Sequence, residues 1–225
     1  MKALDALNIT DDLAASQRGL LTSAQAHAAG VGRMELSRLA ASGHLERIAR
    51  GVYRASGAPS MREEAVWAAW LSMDPGVMSY DRDPLACAVS HNTAAWLMGL
   101  GELEPEPVTL TCPARRQVAA RGIRTVRAEL QPAEVATVGG LPCTTAARAV
   151  ADLISSGEDI SLVAAVLRDA LDAGLVQDEA VLRDRIDALG PKRGIRRGGV
   201  ALEHDAGEGL TWRRRSLRQR SSTAP

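Results

Sequence analysis

The segment of residues 16–54 constrains the fold most, because it is typical of two short helices joined by a tight turn and followed by a hairpin. Thr22 followed by Gln25 is a capping-box pattern, which predicts a helix over about residues 23–28. Gly30 suits the left-handed backbone conformation that ends a helix. The first helix is therefore expected to be short.

A second helix is predicted over about residues 33–42, closed by Gly43. Leu36 and Leu39 share one apolar stripe of it, so the opposite side is expected to face solvent. Two helices separated by a Gly-containing turn are what a helix-turn-helix requires. Helix pairs of this length also occur in proteins that do not bind DNA. The prediction of DNA binding therefore depends on the hairpin that follows as well.

That hairpin is encoded by "GHLERIARGVYR", residues 43–54. Leu45 and Ile48 are apolar, Arg50 and Gly51 supply the turn, and the last three residues favour a β-strand. A helix pair followed at once by a basic hairpin is the winged variant of the motif. In that variant the second helix enters the major groove and the hairpin lies along the flanking phosphates.

The residue types assign different contacts to the two elements. Exposed polar residues of the second helix, Ser37 and Arg38, are predicted to face base edges. Basic residues of the hairpin, Arg47, Arg50 and Arg54, are predicted to contact the DNA backbone. The alternative is that these arginines form the solvated face of an ordinary small hairpin.

Charge is segregated along a chain that is neutral overall, with 27 basic and 27 acidic residues. Residues 18–54 carry six Lys or Arg against two Asp or Glu, and residues 128–190 carry four against eleven. Lysine occurs only at Lys2 and Lys192, and arginine suits bidentate contact with phosphates. A GC-rich genome produces the same bias, so composition alone decides little.

Several function classes are disfavoured by what the sequence lacks. No apolar run approaches the roughly 18 residues of a membrane span, and the acidic start does not resemble a signal peptide, so we expect a cytoplasmic protein without a membrane partner. Three cysteines and four histidines are scattered, without the spacing of a disulfide framework or a metal site. We expect no metal and no cofactor, and the cysteines to be small buried hydrophobic residues.

Catalytic motifs are also missing. There is no GxxxxGK[ST] or GxGxxG loop and no acid-x-Lys nuclease signature. Ser90 and His91 are adjacent, so their side chains are expected to diverge, with Ser90 capping a helix. We therefore expect no catalytic residues and no enzymatic activity.

A turn-rich break at residues 55–60 divides the chain. The predicted fold class is α+β and helix-rich: a winged helix-turn-helix domain at residues 1–58, a mixed α+β domain at 60–190, and a basic tail at 191–225. The tail is expected to be partly disordered, with a short helix near Val200, and to add non-specific phosphate affinity. In the second domain, Thr144 is the predicted cap of a helix that carries Arg148 and Asp152 as a surface ion pair.

The segment "GLLTSAQAHAAGVGRMELSRLAASGHLERIARGVYR" resembles the N-terminal domain of the AbiEi-type antitoxins of type IV toxin-antitoxin (abortive infection) systems. "AVSHNTAAWLMGLGEL", "VTLTCPARR" and "GGLPCTTAARAVADLI" resemble the domain that follows it in many relatives, so the resemblance covers about residues 16–190. Some relatives have Ser or Thr where this chain has Gly32, and several continue into a nuclease-like domain where this chain has a short basic tail.

The resemblance implies a protein that binds double-stranded DNA at its own promoter, represses its operon, and pairs with a nucleotidyltransferase-like toxin. It also adds Arg33 to the residues expected to contact DNA. Two alternatives remain: a stand-alone winged-helix regulator, or an interaction module whose acidic second domain neutralises a partner without DNA binding.

Overall fold

The computed structural model describes residues 3–114 and 122–189. Within these residues the chain forms eight α-helices and two β-sheets, so the predicted helix-rich α+β class is confirmed. The predictions for the basic tail, including its disorder and the short helix near Val200, lie outside the described residues.

The elements alternate along the chain and are numbered in sequence order. The α-helices are α1 (Ala3–Ala15), α2 (Ser23–Ala28), α3 (Arg33–Ala41), α4 (Glu64–Met73), α5 (His91–Met98), α6 (Ala146–Ser156), α7 (Ile160–Asp172) and α8 (Glu179–Leu189). The strands are β1 (Leu20–Thr22), β2 (Leu45–Ala49), β3 (Val52–Ala55), β4 (Ala88–Val89), β5 (Val108–Cys112), β6 (Ile123–Arg127), β7 (Val135–Val138) and β8 (Leu141–Thr144).

The predicted helix pair is confirmed as α2 and α3. The Gln25 backbone N–H donates to Thr22 Oγ1 at 3.1 Å, and Gln25 Oε1 accepts from the Thr22 N–H at 2.9 Å, which completes the capping box. Gly30 follows α2 with φ +91°, a left-handed conformation that side-chain-bearing residues rarely adopt. The turn that joins the two helices is therefore fixed by local sequence.

The predicted hairpin is confirmed as β2 and β3, in a three-stranded antiparallel sheet of order β1-β3-β2. Gly51 forms its turn with φ +77°. The Gly51 carbonyl accepts a hydrogen bond from the Ser23 N–H at 2.8 Å, which ties the turn to the start of α2. Helix pair and hairpin thus form one hydrogen-bonded unit.

Helix α1 was not predicted from the sequence. Its buried positions are small or polar, Ala6, Thr10 and Ala14, so it lacks the large apolar stripe by which an amphipathic helix is recognised. It packs in a hydrophobic cluster, the N-terminal core, together with Leu36 and Leu39 on the apolar side of α3. The other buried members of this core are Leu21, Ala26, Val31 and Leu45.

A five-stranded sheet of order β6-β5-β4-β8-β7 organises the rest of the described chain. The β4–β5 and β7–β8 pairs are antiparallel, whereas β4–β8 and β5–β6 are parallel. The hydrophobic cluster between this sheet and α4 also contains Leu20 and Val52 of the first sheet. A second cluster lies among α5, α6, α7 and α8.

Two buried glutamines connect the helix pair to the loop after α4. Gln17 Nε2 donates to Gln25 Oε1 at 2.9 Å, Gln25 Nε2 donates to the Val77 carbonyl at 2.9 Å, and Gln17 Oε1 accepts from the Ser79 N–H at 2.9 Å. These bonds satisfy amides that would otherwise be costly to bury. The domain boundary near residue 58 stays a prediction, and these hydrogen bonds cross it.

The predicted cap of α6 was placed one residue too early. Thr144 is the last residue of β8 and pairs with Val135 of β7, so its backbone is committed to the sheet. Thr145 is the cap instead, and its side chain accepts from the Arg148 N–H at 3.4 Å.

Arg148 is not on the surface, contrary to the prediction. It is 6% exposed. Arg148 Nε donates to Asp152 Oδ1 at 2.8 Å and Nη1 to Glu134 Oε2 at 2.6 Å. Arg185 of α8 binds the other oxygen of Glu134 at 2.7 Å. The predicted i, i+4 pair exists, but tertiary packing buries it in a larger ion-pair network.

The expected divergence of Ser90 and His91 is wrong. His91 has φ +55°, and its Nδ1 lies 3.0 Å from Ser90 Oγ. Ser90 occupies the N-cap position of α5, but its side chain makes no capping hydrogen bond and instead accepts from Thr111 Oγ1 at 2.8 Å. Ser90 is fully buried. This serine is therefore part of a core polar network rather than an accessible nucleophile.

His91 should make the fold sensitive to acid. Burial lowers its pKa, more than the nearby Asp152 carboxylate raises it, and Arg124 and Arg148 lower it further. The unfolded chain then binds a proton more readily than the folded one, so stability falls as the pH drops below about 6.5, the ordinary histidine value. The slope from one such group is at most about 1.4 kcal/mol per pH unit.

Urea denaturation between neutral pH and mildly acidic pH measures this slope. His91→Asn should flatten it, since asparagine tolerates the positive φ and does not titrate. His44→Asn, the same substitution at an exposed histidine, is the matched control. Equal slopes for the wild type and His91→Asn would contradict the assignment.

Candidate nucleic-acid interface

Helix α3 has one buried side and one exposed side. Leu36 and Leu39 are 3% and 6% exposed and hold the helix on the N-terminal core. Arg33, Ser37 and Arg38 are exposed, as predicted for residues that could reach DNA. Gly32 precedes the helix as its N-cap residue and makes no side-chain capping bond. The polar side of α3 is thus available to a partner.

The register of the hairpin separates its arginines onto two faces. Arg47 lies opposite Tyr53, whereas Glu46 lies opposite Arg54. Since side chains alternate along a strand, Arg47 is on the same face as Leu45, which packs in the N-terminal core with α3. Arg47 is nevertheless exposed, as is Arg50 in the turn.

Arg54 lies on the opposite face and is occupied by two acidic partners. Its side chain is 13% exposed, and Nη1 binds Glu64 of α4 at 2.9 Å while Nη2 binds Glu46 of β2. These two carboxylates compensate its charge and point it towards α4. The structure thus separates Arg54 from the other five residues predicted to contact DNA.

The remaining arginines form what we call the basic surface: Arg33, Arg38, Arg47 and Arg50. Among residues 3–114 and 122–189, no ion pair is found for any of the four. Glu35, in the first turn of α3, lies nearby in sequence. Exposed arginines without ion-pair partners create a positive potential that attracts polyanions.

A groove of about 360 Å³ lies beside the basic surface, between α1 and α3. Leu4 and Leu7 of α1 line one side, and Arg38 and Leu39 of α3 line the other. This groove was not predicted from the sequence, since α1 itself was not predicted. Arg38 therefore lies at the border between an apolar groove and the exposed polar side of α3.

Metal-binding clusters and membrane-spanning helices are two further features to consider in the described residues. Across them, no group of three or more His, Cys, Asp or Glu side chains is placed to hold a metal ion. None of the helices seen in residues 3–114 and 122–189 is long and apolar enough to cross a membrane.

Comparisons with known proteins address the fold and the N-terminal segment separately. The crystal structure of the RV2827C protein from Mycobacterium tuberculosis has a similar fold, with a TM-score of 0.50 and 18% sequence identity over 82% of this chain and 70% of that one. No curated protein matches the sequence. A family model described as "Transcriptional regulator, AbiEi antitoxin" matches residues 8–56, which include the helix pair and the hairpin. Residues 8–56 are therefore consistent with an N-terminal domain of the AbiEi type.

Proposed function

We propose that this protein is a DNA-binding antitoxin that represses transcription of its own type IV toxin-antitoxin operon in the cytoplasm. The observation that carries the proposal is the basic surface, which lies in the segment that matches the antitoxin regulators. Its partners are the double-stranded DNA of its own promoter and a nucleotidyltransferase-like toxin. The protein acts by binding, without catalysis.

In this proposal α3 enters the major groove of the promoter. Arg38 and Ser37 read base edges, because arginine can bind guanine O6 and N7 together and serine adapts to several bases. Arg33 lies at the helix start, and Arg47 and Arg50 lie on the hairpin, where they contact phosphates that fix the register. Repression follows because a protein held on the promoter excludes the transcription machinery.

Arg54 and Arg50 are expected to differ in role: Arg54 stabilises the fold through its ion pairs, and Arg50 contacts DNA. Arg54→Ala should lower the melting temperature, because it leaves the Glu46 and Glu64 carboxylates without their shared cation. It should leave the salt dependence of DNA binding unchanged. Arg50→Ala should do the reverse, with an unaltered melting temperature and a log–log salt slope flattened by about one.

Thermal unfolding and DNA titrations at several salt concentrations measure both quantities on the same preparations. A flattened salt slope in folded Arg54→Ala would show that Arg54 contacts DNA after all. An unchanged salt slope in Arg50→Ala would show that Arg50, in the hairpin turn, does not contact the DNA.

Gel shift with the DNA upstream of the protein's own operon tests the proposal. The intact protein should shift this fragment in the presence of a scrambled competitor of equal length, and should repress a reporter placed behind it. Absence of any shift by the folded protein at low salt would refute DNA binding. A shift without repression would limit the proposal to DNA binding.

A second candidate function is neutralisation of a partner by an acidic surface without DNA binding. Asp178, just before α8, and Glu179, its first residue, are exposed. Leu175 and Val181, close to them in the sequence, are 44% and 62% exposed. Acidic side chains around exposed apolar ones suit a basic protein partner. Asp178→Asn with Glu179→Gln should then weaken toxin binding in co-purification, while DNA binding is retained.

A further inference from the structure

Two cysteines that are far apart in the sequence meet in the core. Cys87 Sγ and Cys112 Sγ are 2.8 Å apart, whereas the sequence alone argued against paired cysteines. Both are buried, and Cys87 is the more accessible at 6% exposed against 1% for Cys112. Neither takes part in the proposed DNA interface.

The strand register explains why they meet. Ala88 of β4 pairs with Thr111 of β5 in an antiparallel ladder, so the next position along places Cys87 directly opposite Cys112. The Ser90 N–H donates to the Thr109 carbonyl at 3.0 Å, and hydrogen-bonded pairs alternate with non-hydrogen-bonded ones. Cys87 and Cys112 therefore occupy a non-hydrogen-bonded position, where the backbones are closest.

The spacing at such a position suits a covalent bond. Cα atoms of a non-hydrogen-bonded pair are about 4.5 Å apart, which lies within the range found for disulfides, about 4.4–6.8 Å. A disulfide needs the sulfurs about 2.05 Å apart, so side-chain rotations that bring them about 0.8 Å closer would suffice.

The third cysteine lies in the same core but has no cysteine opposite it. Cys143 is on β8, where burial raises the pKa of its thiol to about 12. In the sheet it lies opposite Ala136 of β7 and beside Val89 of β4, so no second sulfur is placed to form a bond with it. Cys143 is therefore the control for a buried cysteine without an opposing sulfur.

We propose that Cys87 and Cys112 form a dithiol that a hydroperoxide converts into a cross-strand disulfide. This is a covalent modification site separate from the DNA interface, and it does not depend on the proposed function.

The chemistry balances with hydrogen peroxide as the oxidant. The Cys87 thiolate attacks one peroxide oxygen, the O–O bond breaks, hydroxide leaves, and a sulfenic acid forms. The Cys112 thiolate then attacks the Cys87 sulfur, the S–O bond breaks, and a second hydroxide leaves as the S–S bond forms. The two thiol protons convert both hydroxides to water. The dithiol loses two electrons and the peroxide gains them.

Peptide mapping of the full chain tests the proposal directly. Trypsin leaves Cys87 and Cys112 together on residues 83–115 and Cys143 on residues 128–148. Reduced folded protein is treated with hydrogen peroxide, denatured, alkylated, reduced, and alkylated again with an isotopically heavy reagent. Without the final reduction, residues 83–115 should lack any alkyl group and have lost about 2 Da. After it, the heavy label should mark Cys87 and Cys112, and the light label Cys143.

Matched variants and an unfolded sample complete the test. Cys143→Ala should form the disulfide as the wild type does, and Cys112→Ser should not. The same treatment in urea should remove the preference for this pair. Light label on all three cysteines of the peroxide-treated wild type would overturn the proposal, as would heavy label on Cys143 or a sulfinic acid at Cys87. The peptide map of the wild type shows whether Cys87 and Cys112 form the disulfide even if a variant fails to fold.

Discussion

Arg148→Ala is expected to lower the free energy of unfolding by about 3 kcal/mol. Arg148 is 6% exposed and binds two carboxylates, Glu134 at 2.6 Å and Asp152 at 2.8 Å. Truncation leaves both acids, whose side chains are 18% and 12% exposed, without their shared guanidinium. Breaking a buried pair by removing one partner is costly, because a charge stays buried without full compensation, although Glu134 keeps Arg185.

Urea denaturation at neutral pH measures this loss. Arg185→Ala is the matched control, since Arg185 binds the same Glu134 but its side chain is 42% exposed. An exposed ion pair contributes little, so the control should cost less than about 1 kcal/mol. Equal losses of unfolding free energy in the two variants would show that burial of Arg148 does not determine how much it stabilises the fold.

Arg38→Ala is expected to weaken binding to the protein's own upstream DNA by about 10- to 100-fold, the loss that follows from removing one bidentate base contact. Arg38 is exposed on α3, while Leu36 and Leu39 on the other side keep the helix on the core. The folded structure should therefore survive the substitution. Affinity for a scrambled fragment should fall much less.

Fluorescence anisotropy with labelled fragments measures both affinities at one salt concentration. Arg168→Ala is a suitable control, since Arg168 is an exposed arginine of α7 outside the basic surface. It should leave both affinities unchanged. Equal weakening on the two fragments by Arg38→Ala would instead make Arg38 a phosphate contact.

Local sequence was sufficient for the elements that present the basic surface. Thr22 and Gln25 encode a complete capping box, and Gly30 and Gly51 occupy positive-φ turns. These features depend on neighbours within a few residues, so a pattern of residue types predicts them. The exposure of Arg38 followed in the same way from the helical period.

Tertiary contacts decided what the sequence could not. Arg54 carries the same charge as Arg50, but Glu64, ten residues away on α4, binds it. The sequence predicts Arg148 to be at the surface, but in the structure it binds Glu134, which also binds Arg185 of α8. The meeting of the two cysteines likewise depends on which strands of the second sheet are neighbours. Periodicity along one element contains no information about such pairings.

The most direct test of DNA reading by α3 is the ratio of two affinities: for the protein's own upstream fragment and for a scrambled fragment of equal length. The wild type should prefer its own fragment by orders of magnitude, about 10³-fold or more. The variant Arg33→Ala, Ser37→Ala, Arg38→Ala should bring this ratio close to one, with an unchanged circular dichroism spectrum. A wild-type ratio near one, or a ratio retained by the folded triple variant, would contradict the account.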